Sequence, residues 1–277
     1  MNTVFTVCGF VAVAFVLIIT VFLIISGTPA ISEIGLADFL FGTEWASTAT
    51  EASYGILPFI LSSICGTSGA ILIGVPAGIL CSVFLTRIAG KRMSSFISGA
   101  VSLMSGIPSV VYGLVGMIIV VPTVREVFGL PDGANLFSAI LVLAFMILPS
   151  VISVSETAIR AVPKEYEEGS LALGATKTET IFKVTLPSAK SGILASVVLG
   201  IGRAIGESMA VMMVSGNVAN MPSLFKSVRF LTTAIASEMS YSSGLQRQTL
   251  FSVALVLFVF ILGINLVLNL VIKNKRK

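Results

Sequence analysis

Charge is missing from this chain in long blocks. No Asp, Glu, Lys or Arg occurs in residues 1–32, 52–86, 93–124, 133–155 or 248–272, and a further block, 191–214, is interrupted only by Arg203 and Glu207. A helix needs about 20 mostly apolar residues to cross ~30 Å of hydrocarbon, and each block is long enough. Backbone in lipid must satisfy its own hydrogen bonds, so such blocks fold as helices. Spans are expected at roughly 4–25, within 52–86, within 93–124, within 133–155, at about 191–214 and within 248–272. Charged residues make up 11% of the chain, against roughly 25% in a soluble domain, too few to cover a water-facing surface. The expectation is an all-α membrane protein with about six transmembrane helices.

Lys and Arg between spans set the orientation. With the N-terminus inside, the inner segments hold Arg87, Lys91, Arg92, Arg160, Lys164, Lys177, Lys183, Lys190, Lys273, Lys275, Arg276 and Lys277, and the outer segments only Arg125, Lys226, Arg229 and Arg247. Both termini are therefore expected in the cytoplasm, for a multi-pass protein of a prokaryotic plasma membrane. No cation precedes the first apolar run, which outlasts a signal-peptide core and reads as a retained helix. The net charge of +4 sits in short inter-span segments, not in a stripe suited to nucleic acid. Outer residues 26–53 carry Glu33, Asp38, Glu44 and Glu51 without a cation, and 217–246 is long enough for a short re-entrant or surface helix. The division expected is 1–53, a first helix with its external segment, and 54–277, the core.

Cys8, Cys65 and Cys81 lie in apolar runs and read as buried thiols; histidine is absent, and no metal-ligand spacing occurs. Gly74-xxx-Gly78 and Gly202-xxx-Gly206 have the spacing that lets membrane helices pack closely. Pro76 and Pro108 are expected to kink their spans.

Residues 161–187, AVPKEYEEGSLALGATKTETIFKVTLP, read as two short helices. Pro163 suits a first turn, and Glu165, Glu167 and Glu168 complement the helix dipole. Gly174 can take the left-handed conformation that ends the first helix. Thr176 and Glu179 have capping-box spacing for the second, which is expected to stop near Leu186, before Pro187. The pair would expose Leu171, Leu173, Ile181 and Phe182, either to a soluble partner or to the chain's own membrane helices. The order Glu168-Gly169-Ser170, three residues, Gly174, nine residues, then Val184-x-Leu186-Pro187 resembles the EAA motif of ABC importer permeases. Gly169 and Ser170 stand where that pattern has alanines, and Val184 where it has isoleucine. The resemblance implies that this element docks on an ATPase subunit.

The second constellation is GIGRAIGESMAVMMVSGN, residues 200–217. Arg203 and Glu207 are four apart, hence on one face of a continuous helix. An arginine at a helix centre costs about 2.5–3.5 kcal/mol on insertion scales, which points to a role along a substrate path; a self-neutralising structural ion pair is the alternative. A guanidinium stays charged and matches oxyanion oxygens bidentately. Together with SYGILPFILSSI (53–64) and SGIPSVVYGLVG (105–116), this segment resembles the PstC-type permeases of phosphate-specific ABC importers. The companion PstA type usually reads GETAPL after its arginine, whereas Ser208-Met209-Ala210-Val211 stands here.

What that resemblance implies is an ABC importer type I permease fold. It also implies two different permeases, two copies of an ABC ATPase subunit and an extracellular phosphate-binding protein. Arg203 and Glu207 would line the route, with 105–113 packed near it. The chain has no phosphate loop of the G-xxxx-GK-[ST] kind, so ATP and Mg would belong to the ATPase and no cofactor to this chain. No catalytic constellation is present, so a transport subunit is expected, not an enzyme. The alternatives are a permease for another oxyanion such as sulfate or molybdate, an ion-coupled carrier or channel without an ATPase, or a membrane scaffold.

Overall fold

The computed structural model describes residues 2–274; Lys275, Arg276 and Lys277, counted above among the inner cations, lie outside them. Among the described residues five helices are long and apolar enough to cross a membrane, and a bent pair makes a sixth. Helix α1, Asn2–Ile34, runs well past residue 25, because the apolar run continues to Ser32. It packs on the last helix, α14, Gly244–Asn274. The crossing is at Gly27, where a Cβ would meet the Phe251 carbonyl oxygen at 3.0 Å. Ser252 Oγ donates to Gly27 O at 2.5 Å there.

A short helix α2, Leu36–Phe41, and a two-stranded hairpin follow, β1 Trp45–Ala46 against β2 Ser53–Tyr54, with Trp45 opposite Tyr54. This end closes around Phe39, Ile56, Phe59, Leu231, Ala234 and Val253, all buried. Leu231 and Ala234 come from α13, Leu231–Glu238, the short helix expected in 217–246. Its last residue, Glu238, accepts from Trp45 Nε1 at 3.2 Å, Ser47 Oγ at 3.1 Å, Gln246 Nε2 at 3.2 Å and Arg229 Nη1 at 2.5 Å. That single carboxylate ties the hairpin to a loop nearly two hundred residues away.

The centre is a seam between α3, Leu57–Val83, and α7, Leu136–Arg160, the most extensive helix pairing in the chain. Gly69, Gly74 and Gly78 admit Ile140, Ile147 and Val151, each within 2.7 Å of where a Cβ would stand. Close packing at Gly74-xxx-Gly78 is thus realised. At Gly202 and Gly206 it is not: a Cβ there would meet nothing within 4 Å in this chain. Cys8 and Cys65 are exposed and Cys81 half-buried, contrary to the burial expected; apolar helix faces that would meet lipid or another subunit stay uncovered in one chain.

The third span is broken. Helix α4, Lys91–Gly106, stops before Ile107, which is extended at ψ 127°, as the residue preceding a proline favours. The chain resumes as α5, Ser109–Val115, a π-helical turn, and α6, Val121–Phe128, so the spanning stretch is Ser109–Phe128. Tyr112 Oη donates to Met104 O at 2.9 Å, satisfying a carbonyl that the break exposes.

Candidate functional site

The sequence places Arg203 and Glu207 on one helical face. The structure does not. Helix α11, Lys190–Gly206, ends between them, and Glu207 is extended at φ −75°, ψ 128°. The next helix, α12, is Met209–Val214. Glu207 Oε1 accepts the Ala210 N–H at 3.0 Å, and Glu207 O accepts Thr232 Oγ1 from α13 at 2.8 Å. The carboxylate therefore satisfies backbone freed by the break, as a buried polar group must, and does not neutralise Arg203. The signal was in the run Gly206-Glu207-Ser208: glycine is a poor helix former, and serine is favoured where helices begin.

Arg203, half-buried on α11, donates from Nη1 to Ser150 Oγ on α7 at 3.1 Å. No carboxylate among the described residues lies within ion-pair distance of it. Three other arginines do have one: Arg87 with Glu167, Arg160 with Glu156, Arg229 with Glu238. A cation held by one neutral hydroxyl keeps most of its five donors for an anion.

Segment 105–113 does pack beside the break: a Cβ on Gly113 would stand 2.7 Å from Ala210 Cα. The neighbouring cleft of about 290 Å³ between Met104, Tyr112, Val120 and Phe145 is lined by apolar side chains and has nothing to hold an oxyanion.

At the far end of α7 stands the 161–187 element. Helix α8, Lys164–Ala172, starts directly after Pro163, and Gly174 takes φ +87°. Helix α9, Lys177–Thr180, opens with the full capping box: Glu179 N donates to Thr176 Oγ1, and Thr176 N to Glu179 Oε2 at 3.0 Å. These bonds and the nearby Lys183 ammonium hold the Glu179 carboxyl below its ordinary value.

The second helix does not stop before Pro187. A π-helical turn, Ile181–Thr185, leads into α10, Leu186–Ser188. Proline cannot donate its missing N–H, and the wider turn puts Pro187 at a first-turn position, where none is required. The chain then bends by 71° into α11.

Glu168, Gly169 and Pro187 are exposed, Val184 and Leu186 half-buried, and Ser170 bonds Thr180 Oγ1 at 3.0 Å. Leu173 is 91% exposed, and Leu171, Phe182 and Tyr166 are exposed as well. Ile181 instead turns inward, with Leu186, onto Val83, Ile159 and Ala189. The element thus divides its apolar residues between the membrane helices and an open face.

Residues 74–277 match the sequence family described as the binding-protein-dependent transport system inner membrane component. The chain is 38% identical over 269 residues to a probable ABC transporter permease protein, YqgH, of Bacillus subtilis, covering 94% of this chain and 87% of that one. It is 34% identical over 260 residues to the phosphate transport system permease protein PstC of Pasteurella multocida, covering 86% and 81%. Among solved structures, a chain of a bacterial alginate ABC transporter in complex with alginate pentasaccharide-bound periplasmic protein matches with a TM-score of 0.65 at 17% identity, over 97% of this chain and 92% of that chain. A chain of the inward-facing MetNI methionine ABC transporter matches at 0.58 and 20%, over 79% and 94%. These last two likenesses show a shared fold.

Proposed function

The chain belongs to the family of binding-protein-dependent transport system inner membrane components, and from that premise we propose that the solute it passes is phosphate. It is a multi-pass plasma-membrane subunit of an ABC importer, a transport component and not an enzyme. The observation that carries the substrate reading is Arg203, a permanent cation in the bent fifth span whose partner is the neutral Ser150 hydroxyl. A guanidinium binds phosphate oxygens with two parallel hydrogen bonds. Kinship with the PstC of Pasteurella multocida supports phosphate among the oxyanions.

In this reading a companion PstA-type permease completes the route, two ATPase subunits hold ATP and Mg, and an extracellular phosphate-binding protein delivers the ion. The 161–187 element, with Glu168, Gly169, Ser170, Gly174, Val184, Leu186 and Pro187, lies on the cytoplasmic side and presents Leu173 and Phe182 to an ATPase. Closure of the ATPase dimer on ATP moves that element, and the two permeases rock between outward and inward openings. Phosphate enters at Arg203 while Ser150 gives up its hydrogen bond. Glu207 keeps the helix break in shape, so Arg203 projects from a fixed end of α11. The division at residue 53 separates an arm, α1 to β1, from this working core.

The second reading is an importer of another oxyanion such as sulfate or molybdate, because a guanidinium matches their oxygens as well and the name of the Bacillus subtilis relative, a probable ABC transporter permease, states no solute. The test is ATP-driven uptake by the whole complex in liposomes, with labelled phosphate against excess sulfate or molybdate. Phosphate uptake that resists both competitors supports the proposal; no phosphate uptake, or uptake that either competitor abolishes, overturns it.

A further inference from the structure

One carboxylate oxygen gathers several segments at the end of α3. Glu167 Oε1, on α8, takes Arg87 Nη2 at 2.5 Å and Thr185 Oγ1 at 3.0 Å. Arg87 Nη2 also donates to Ile159 O, in the last turn of α7, at 3.0 Å. Arg87 lies in the π-helical turn Phe84–Ile88 that closes α3, and Thr185 in the π-helical turn before Pro187. The pair is withdrawn from solvent, at 19% and 22% exposure, above the cluster of Val83, Ile159, Val162 and Ala189.

We infer that the Arg87–Glu167 pair is the clamp through which the 161–187 element moves α3 and α7, which makes both residues positioning residues of the ATP-coupled cycle. Apolar contact alone is non-directional and would let the element slide over the ends of the membrane helices. A charge-assisted bond fixes both distance and direction, and here the acceptor oxygen also holds the π-helical turn after α9 through Thr185. Both donors to Glu167 come from π-helical turns, which interrupt helices mostly at functional positions. The clamp feeds the glycine-packed α3–α7 seam, and close-packed helices transmit displacement as rigid bodies. Ser150, the partner of Arg203, stands on α7. A movement of Glu167 therefore reaches the Arg203 guanidinium through two helices and one hydroxyl. Arg160, the neighbouring cation, makes no such link: it bonds Glu156 on its own helix and Ser94 on α4.

The inference rests on the importer reading but not on which oxyanion is carried. It is tested in liposomes holding the complete complex, measuring labelled phosphate uptake and ATP hydrolysis together in Glu167→Gln, in Arg87→Met and in the swap R87E/E167R. Both single variants should assemble and hydrolyse ATP while uptake per ATP falls about tenfold, the scale of a moderate coupling between sites; the swap should recover part of it. Wild-type uptake per ATP in the single variants overturns the inference. So does a fall in uptake and hydrolysis together, in proportion to lost assembly, or a swap no better than either single variant. If the wild-type complex hydrolyses ATP but takes up no phosphate, the substrate reading fails and the clamp is read otherwise. Spin labels at Lys164 and Ser153 should then hold one separation through the nucleotide cycle in the wild type and spread in both single variants; equal distributions overturn the clamp.

Discussion

Two arginines at different depths of this molecule are held in opposite ways. Arg229, near the closed end formed by the hairpin and α13, has its charge met by Glu238, donates from Nε to the Asn217 carbonyl at 3.0 Å and lies 5.8 Å from the centre of the Phe59 ring. Glu238 is itself saturated by Trp45, Ser47 and Gln246. Arg203, at the break between α11 and α12, has a serine hydroxyl. The first arrangement neutralises its cation with a carboxylate and reads as a structural knot. The second keeps a cation at membrane depth without neutralising it, which costs stability unless the charge is used. Pairing, more than burial, separates the two kinds of arginine.

That comparison breaks most sharply on Arg203→Gln. We expect uptake by the assembled complex to fall about a hundredfold, equivalent to the roughly 3 kcal/mol of a strong hydrogen bond to a charged group. The thermal midpoint of the complex should hardly move. Normal uptake by the variant would remove Arg203 from the route. Glu238→Ala should do the reverse, stranding Arg229 and destabilising the protein by ~3–5 kcal/mol, as loss of one partner from a buried pair does. Its thermal unfolding in detergent should shift accordingly, while uptake per folded complex is retained. An unchanged midpoint would make the knot ornamental.

The glycine seam gives a smaller contrast of the same form. Gly74→Val should cost about 1–3 kcal/mol by overpacking against Ile147, whereas Gly202→Ala, inside a helix with open space at its Cβ, should stabilise the isolated subunit by about 0.5–1 kcal/mol. If the two behave alike, the seam is not what joins α3 to α7.

The smallest effect is at Glu179. Its lowered carboxyl value means that the capping box contributes stability fully above the ordinary carboxylate value of 4.5 and loses it as pH falls through the lowered folded value. Hydrogen exchange at the Thr176 and Glu179 amides should therefore show protection lost on acidification. Protection equal in Glu179→Gln at all pH values would exclude the carboxylate.

Local features were legible and long-range ones were not. The apolar blocks announced the spans, Gly174 its left-handed turn, and Thr176 with Glu179 their cap, because each depends on neighbours within a few residues. The Glu238 knot was hidden, since Trp45 and Ser47 meet it across more than 190 positions. The break after Gly206 was misread because spacing assumes an uninterrupted helix, and Glu207 takes a backbone donor in preference to a side chain. Pro187 was misread for a related cause: a proline ends a regular helix, but a π-helical turn before it resets the register. Arg87 and Glu167 were visible only as a topology charge and a helix-dipole partner; nothing in their spacing pairs them.

The corner at Ala189 gives the molecule a bell-crank. One arm is the 177–188 segment; the other is α11, whose tip bears the unpaired guanidinium. Fourteen residues separate that tip from the pivot, roughly 20 Å at 1.5 Å of rise per residue. A swing of only about 5° at the corner would carry the tip ~2 Å along its arc on that lever length, enough to trade a serine oxygen for another acceptor.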